Sequence, residues 1–172
     1  EIRGKHAFTE NAKITADYFV VATHFPFMNK YGGYFMKLHQ ERSYVIAIEN
    51  GPKIDGMYVD EAKTGMSFRN YKNYLLIGGG DHRTGKEGGN YQELRAFSAI
   101  HYPANHIKYQ WATQDCMSLD GIPYIGRYSY GLPEVYVTSG FNKWGMTSAM
   151  TAAMLLRDII VKKECSYAPV FS

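Results

Sequence analysis

Hydrophobic and polar residues change their spacing several times along this 172-residue chain, and each pattern predicts a different element. Residues 18–22 are continuously apolar and rich in β-formers, as expected for a parallel strand buried on both faces. Residues 135–138 form a second strand-like run, and residues 146 to about 163 predict a helix rich in small and apolar side chains. The segment from 135 to 163 is therefore predicted to be a strand, a loop and a helix.

The middle of the chain has the shorter period of half-buried strands. Alternating or apolar runs at 41–49, 56–60, 65–71 and 73–78 are separated by short turns, which predicts an antiparallel meander. Residues 88–101 have roughly helical spacing and are closed by Pro103, and residues 107–113 alternate as a further strand. Near the start, residues 7–9 and 13–15 flank a turn-like centre and predict a hairpin.

Composition and charge exclude several classes of protein. The 45% hydrophobic and 20% charged fractions are ordinary for a globular domain. A net charge of +3 is too small to indicate nucleic acid or an acidic membrane as a partner. No apolar run approaches the roughly 18 residues that a membrane span needs. We therefore expect neither a nucleic-acid nor a membrane partner.

The cysteines and the first residues bear on location. Cys116 and Cys165 have no paired spacing, so they predict neither a disulfide framework nor a metal site, and a reducing, cytoplasmic location fits them best. No signal peptide is visible at the start. The chain begins with Glu1 rather than Met, from which we expect it to be processed or excised from something longer.

The loop at 139–145 joins the second strand to the helix and is the strongest candidate for chemistry. The first N–H groups of a helix lack intrahelical partners, and the helix dipole is positive there. Such a junction holds a phosphate, a carboxylate or another electron-rich group. A plain structural crossover is the alternative, because strand–loop–helix units are common.

Two ordered motifs carry a family resemblance. Asp-Gly-x-Pro-x-Ile-Gly at 120–126 is followed by a strand, by Ser-Gly-Phe at 139–141 and by Trp-Gly-Met-Thr at 144–147. This order resembles the C-terminal FAD-binding segment of the D-amino-acid oxidase, glycine oxidase and sarcosine oxidase superfamily. Residues 15–24 resemble the superfamily strand that ends beside the flavin. The resemblance covers most of the chain, and its middle third is only loosely recognisable.

The resemblance implies an α+β fold. An antiparallel or mixed sheet with a helix would form the substrate lobe, and the rest would be the C-terminal part of a parallel FAD-binding fold. We expect a hairpin and flavin-side strand at 1–24, the substrate lobe at 25–115, the FAD-binding segment at 116–165 and a tail or linker at 166–172. The strands at 18–22 and 135–139 should pair in parallel.

The resemblance also implies which residues meet the flavin. Backbone N–H groups of the loop would face the pyrimidine side of the ring and stabilise negative charge as it is reduced. The candidate cofactor-binding residues are Thr23, His24, Arg127, Gly140, Phe141, Asn142, Lys143, Trp144, Gly145, Met146 and Thr147. The alternatives are a structural His24, a surface Arg127, a solvated Lys143 and a core Trp144.

One departure from the family concerns the substrate. An arginine clamps the substrate carboxylate in the amino-acid oxidases, and Asp115 stands at the corresponding position here. A carboxylate repels that group, so an amine fits better than a simple amino acid. Arg69, on a predicted strand, is a candidate substitute clamp, with a solvated strand residue as the alternative. No residue is predicted to bind a metal.

The dinucleotide fingerprint Gly-x-Gly-x-x-Gly is absent from the residues before Thr15. We therefore expect a fragment of an FAD-dependent oxidoreductase that oxidises a small amine or amino-acid-like substrate by hydride transfer. The missing N-terminal half would be its partner and would supply most FAD contacts, so this chain alone should bind FAD weakly, with the strand at 18–22 left as an exposed edge.

Within the superfamily, the loop is similar to the branch fused to a Rieske domain, which implies a 2Fe-2S centre in a missing downstream domain. The alternative function is a non-catalytic binding or assembly module of the same fold.

Overall fold

The computed structural model describes residues 1–28, 30–62 and 65–171. The chain forms two compact units. One unit contains Glu1–His39 and Asp115–Ser172, and the other contains Gln40–Gln114. None of the helices in the described ranges has both the length and the apolar character needed to cross a bilayer.

Strands dominate the described part of the chain. In order they are β1 (Ile2–Arg3), β2 (His6–Phe8), β3 (Lys13–Thr15), β4 (Phe19–Val21), β5 (Leu38–Glu49), β6 (Met57–Val59), β7 (Ser67–Tyr71), β8 (Tyr74–Arg83), β9 (Ile107–Ser118), β10 (Tyr124–Ser129) and β11 (Leu132–Ser139). The helices are α1 (Tyr34–Lys37), α2 (Gln92–His101) and α3 (Gly145–Ile160), with a short 3-10 helix at Ala168–Val170. The predicted hairpin near the start is confirmed as β2 and β3, which pair antiparallel.

The first unit is built on a three-stranded sheet in the order β10, β11, β4. Strand β11 pairs in parallel with β4, placing Tyr136 opposite Val20, and this confirms the predicted parallel pair. Strand β10 pairs antiparallel with β11 on its other side, with Ile125 opposite Thr138. The two parallel strands therefore end at the same edge of the sheet.

Both faces of β11 are covered, and its side chains alternate between the two faces. Val135 and Val137 belong to a buried cluster on one face with Tyr34 of α1. Tyr136 belongs to a second cluster on the other face, where α3 packs through Leu155 and its neighbours. The α+β class predicted from the sequence is confirmed.

The tail was expected to be a linker. In the structure the apolar side chains of residues 166–171 pack against the cluster beneath α3, together with Cys165; they are Tyr167, Ala168 and Phe171.

The second unit contains a five-stranded sheet in the order β6, β7, β8, β5, β9. The predicted meander holds for β6, β7 and β8, but it was wrong for β5, which pairs with β8 and not with its sequence neighbour β6. The reason is length and burial. β5 and β8 are long and largely buried, whereas the exposed three-residue β6 takes the edge, where a short strand is tolerated.

Candidate functional site

The candidate site lies where β11 ends and α3 begins, at residues 140–147, which we call the α3 junction. Trp144 is the N-cap residue, no side chain caps the helix, and its first turn carries no acidic residue. The first helical bond runs from the Ser148 N–H to the Trp144 carbonyl at 2.9 Å. The N–H groups of the first turn, Gly145 to Thr147, precede that bond, and Trp144 and Met146 are 73% and 89% exposed. The positive end of α3 is thus accessible to an electron-rich group.

Asn142 holds the α3 junction in place. Its backbone is left-handed, with φ 53°, and its N–H donates to the Cys116 carbonyl at 2.9 Å. Its side-chain oxygen accepts from the Ser118 N–H at 3.1 Å, and its amide nitrogen donates to the Gly121 carbonyl at 2.9 Å. The loop is therefore tied to the end of β9 and to the turn at 120–121. Sequence reasoning named Asn142 only as part of the loop. The residue type is the sequence signal for this positioning role, because asparagine tolerates the left-handed backbone conformation better than most residues.

Gly140 begins the α3 junction with φ 71°. A Cβ built there would lie 3.0 Å from Leu38 Cδ2 and 3.2 Å from Ser118 Cβ. A larger residue would be strained and would displace these side chains. The glycine therefore lets the chain leave β11 and turn tightly toward the helix.

Thr23 and His24 lie just after β4, next to the end of β11. The Ser139 hydroxyl donates to the His24 carbonyl, and the Thr23 hydroxyl donates to the Phe25 carbonyl at 3.2 Å. His24 has φ 64°, an uncommon conformation for a non-glycine residue. These contacts place His24 at the edge where the parallel strands end, which is where ligands bind in open α/β sheets.

Lys143 and Asp115 form an ion pair in the α3 junction. The Lys143 Nζ lies 3.0 Å from an Asp115 carboxylate oxygen. Their side chains are 40% and 27% exposed, so the pair is only partly shielded from solvent. The sequence interpretation considered only the repulsion between the Asp115 carboxylate and a substrate carboxylate. The structure adds a cation beside this carboxylate, because Lys143 is its ion-pair partner.

Of the two candidate arginines, Arg127 belongs to the same unit as the α3 junction and lies away from it along β10. Arg127 is exposed on β10, opposite Tyr136. It lies three residues from Tyr124, which pairs with Ser139, and that spacing is about 10 Å along a strand. Arg69 belongs to the second unit, where it is exposed on β7 between Met57 and Leu76.

Tyr124 forms a wall behind the α3 junction. Its ring would lie 3.5 Å from a Cβ at Gly140. Burial raises the pKa of Tyr124, and the nearby negative charge of Asp120 raises it further. The phenol is therefore a neutral group at physiological pH.

Sequence comparison assigns the chain to a family. Residues 1–159 match the family of FAD dependent oxidoreductases named DAO. The chain belongs to this family. The described residues contain no group of three or more histidine, cysteine or acidic side chains placed to hold a metal ion.

One curated relative of this DAO-family chain is similar to it in sequence. It is 36% identical over 169 residues to YhfW of Bacillus subtilis (strain 168), whose name describes a Rieske 2Fe-2S iron-sulfur protein. The match covers 92% of this chain and 33% of that relative. The chain thus spans about a third of that curated relative.

Among solved structures, glycine oxidase from Geobacillus kaustophilus superposes with a TM-score of 0.74 at 19% identity, over 95% of this chain and 46% of that one. L-proline dehydrogenase from P. horikoshii also gives 0.74 at 19%, over 94% and 47%. At this level of identity, the likeness establishes the fold.

The α3 junction of this DAO-family chain fits the electron-rich edge of a flavin ring. It offers an exposed helix N-terminus without a side-chain cap, a tightly turning Gly140 and a clasped Asn142. Trp144, exposed beside it, offers an aromatic surface. Of the predicted residues, the structure brings together 140–147, Asp115, Thr23 and His24 in one unit.

Proposed function

We propose that this chain forms the ring-facing side of an FAD site in an oxidoreductase that oxidises a small amine or amino-acid-like substrate. The observation that carries the proposal is the α3 junction: an exposed helix N-terminus without a side-chain cap, at the edge where two parallel strands end. When bound, FAD supplies the hydride acceptor. The protein supplies shape and electrostatics.

The N–H groups of Gly145, Met146 and Thr147 would donate toward the pyrimidine edge of the ring. Together with the helix dipole they would stabilise the negative charge that develops there on reduction. Asn142 would keep these donors fixed, so that little reorganisation is needed during the reaction. Phe141 and Trp144 would border the ring, and Thr23 and His24 would line the neighbouring strand end.

The Lys143–Asp115 pair would set the charge beside the substrate. A paired carboxylate attracts a cation less than a free one does, so the pair supports a neutral amine as well as an ammonium group. Arg69 remains our candidate for binding a substrate carboxylate. We leave Arg127 out of the proposed flavin contacts because of its distance along β10.

We infer that other parts of the full protein complete the FAD site. The chain spans 33% of its curated relative and 46% of the superposed glycine oxidase. In addition, β4 is an edge strand of its sheet, so a further strand can pair with it. A dinucleotide-binding half would supply the pyrophosphate contacts. We also propose a 2Fe-2S domain elsewhere in the full protein, which the name of the relative supports. The proposed location is cytoplasmic.

The test is a pair of variants on α3. Met146→Glu places a carboxylate in the first turn, where it would repel developing negative charge, whereas Met150→Glu places one a turn later on the exposed surface. In the full protein we expect Met146→Glu to weaken FAD binding about tenfold and to lower the reduction potential of bound FAD, measured by dye equilibration. Equal effects from both variants would remove the α3 junction from the flavin site.

A flavin titration separates the proposal from the alternative assembly module. We expect no retention of FAD by this chain alone and retention when it is mixed with the dinucleotide-binding half. If FAD is retained but neither amines nor amino acids reduce it, the result would favour the non-catalytic assembly module.

A further inference from the structure

A chain of hydrogen bonds joins three segments of the first unit beside the α3 junction. Ser139 is the last residue of β11, Cys116 lies near the end of β9, and His24 lies shortly after β4. The Cys116 Sγ lies 3.4 Å from the Ser139 Oγ, and the Ser139 hydroxyl donates to the His24 carbonyl. Cys116 and Ser139 are each only 2% exposed. The chain therefore lies in the protein interior, where hydrogen bonds are stronger than in water.

The direction of this chain follows from the groups in it. A carbonyl oxygen only accepts hydrogen bonds, so the single hydroxyl hydrogen of Ser139 points to His24. The Ser139 oxygen is then the acceptor for Cys116, whose sulfur donates as a protonated thiol. Because a thiolate has no hydrogen to donate, the chain requires the thiol form of Cys116.

Cys116 also holds the α3 junction through its main chain. Its carbonyl accepts from the Asn142 N–H at 2.9 Å, while its side chain contacts Ser139. Between these two contacts, Phe141 forms a β-bridge with Met117, the residue after Cys116. The loop that leaves β11 is therefore tied to the end of β9 at three successive points.

His24, at the other end of the chain, has an uncommon backbone conformation. Its φ is 64°, and a non-glycine residue keeps such a conformation only where its surroundings hold it, often near a functional site. Ser139 holds its carbonyl, and the bond from the Thr23 hydroxyl to the Phe25 carbonyl spans it. His24 itself is exposed. Its main chain is thus anchored, while its side chain stays accessible at the edge where the two parallel strands end.

We propose that Ser139 is a positioning residue of the FAD site, which acts through His24 and is itself oriented by the Cys116 thiol. Its hydroxyl fixes the segment after β4 against the start of the α3 junction. The inference rests on the proposed function, in which His24 and the α3 junction border the same flavin ring. Because the chain uses only protein groups, it orders this edge before a cofactor binds and so lowers the entropic cost of binding.

The first measurement needs no flavin and is a difference infrared spectrum of the full protein in the S–H stretching region. Ser139→Ala removes the acceptor of the Cys116 thiol, so we expect the S–H band of Cys116 to move to higher frequency. Cys116→Ser removes this band and thereby identifies it. Ser98→Ala, at another buried serine but in the second unit, is the matched control and should leave the band unchanged. An unshifted band in Ser139→Ala would overturn the proposal.

The second measurement is FAD binding to the full protein, with the visible circular dichroism of the bound flavin as a report on its surroundings. We expect Ser139→Ala to weaken FAD binding about fivefold, which corresponds to one ordinary hydrogen bond, and to change the dichroism of the flavin. Ser98→Ala should change neither property. This control separates positioning at the flavin from a general loss of stability, which both serine variants share.

Met146→Glu distinguishes a failure of this inference from a failure of the proposed function. If Met146→Glu weakens FAD binding and Ser139→Ala does not, the α3 junction remains the flavin site and Ser139 is not a positioning residue. If neither variant affects FAD binding, the proposed function fails, and this inference fails with it. Weaker binding and altered dichroism in Ser139→Ala, with Ser98→Ala unchanged, would support the positioning role.

Discussion

Helices α2 and α3 each begin shortly after a left-handed asparagine, but different contacts hold the two helix starts. Asn90 (φ 50°) precedes the N-cap residue of α2, and its side-chain oxygen accepts from the Tyr44 hydroxyl at 2.9 Å. Asn142 (φ 53°) lies two residues before the N-cap of α3 and binds backbone groups on two other segments. The start of α2 is tied to one side chain, whereas the α3 junction is fixed to the surrounding main chain.

The charges at the two helix starts differ as well. Neither helix has a side-chain cap, but the first turn of α2 contains Glu93 and that of α3 contains no acid. A carboxylate in the first turn offsets the positive end of a helix. Glu93 therefore offsets part of the positive charge at the start of α2, whereas no acidic residue does so in the first turn of α3.

The largest expected effect comes from removing the asparagine side chains. Asn142→Gly keeps the left-handed backbone allowed but removes the amide clasp, so we expect a loss of about 2 kcal/mol in the free energy of unfolding. Asn90→Gly removes a single bond and should cost about 1 kcal/mol. Urea denaturation of both variants measures the difference. Equal losses would mean that the two helix starts are held equally firmly.

A smaller effect is expected from the ion pair in the α3 junction. Lys143→Met leaves the Asp115 carboxylate without this partner, but the pair is partly exposed and such pairs contribute about 0.5 kcal/mol. We expect a thermal melt close to that of the parent protein. A destabilisation as large as that of Asn142→Gly would mean that Lys143, and not the amide clasp, fixes the loop.

Changing the first-turn charges tests the electrostatic difference between the two helices. Glu93→Gln should destabilise α2, and Met146→Glu should stabilise α3 in the absence of flavin, each by about 0.5 kcal/mol because of the helix dipole. Urea melts at low ionic strength give the sign of each change. If both variants changed stability in the same direction, the two helix N-termini would not differ in charge as proposed.

Near neutral pH, the smallest change in stability is expected from substituting Tyr34, which packs against Tyr124, the wall of the α3 junction. Burial raises the pKa of Tyr34 from 10.0 to about 12. Since the folded state holds this proton more tightly, stability is fully present below pH 10 and falls between about pH 10 and 12. Tyr34→Phe should make that fall shallower, measured by urea melts across the alkaline range. Tyr130→Phe, at a 98% exposed position, is the control and should leave the fall unchanged.

Much of the first unit could be predicted from local pattern. The apolar runs at β4 and β11 and the helix after them are visible in the sequence. The expected burial on both faces holds for residues 135–137 of β11, but it was wrong for β4, where Val20 is 45% exposed. The predicted helix start at Met146 was one residue from the observed start at Gly145. The order of strands in the second unit was not predictable in the same way. Pairing of β5 with β8 depends on long-range burial rather than on proximity in the chain.

The site was only partly predictable. The residue types at 140–147 indicated the loop, but the Lys143–Asp115 pair joins residues 28 apart in sequence and no local pattern reveals it. Such constellations arise only when distant segments pack together.

The family, the α+β class and the location of the α3 junction follow from the amino-acid sequence alone, because they depend on residue types and spacing within short segments. Tertiary packing settled which charges are paired, which strand occupies the sheet edge and how Asn142 holds the loop. The difference is one of range. Secondary structure follows from a few neighbouring residues, whereas ion pairs, cavities and sheet order depend on contacts between segments brought together by burial.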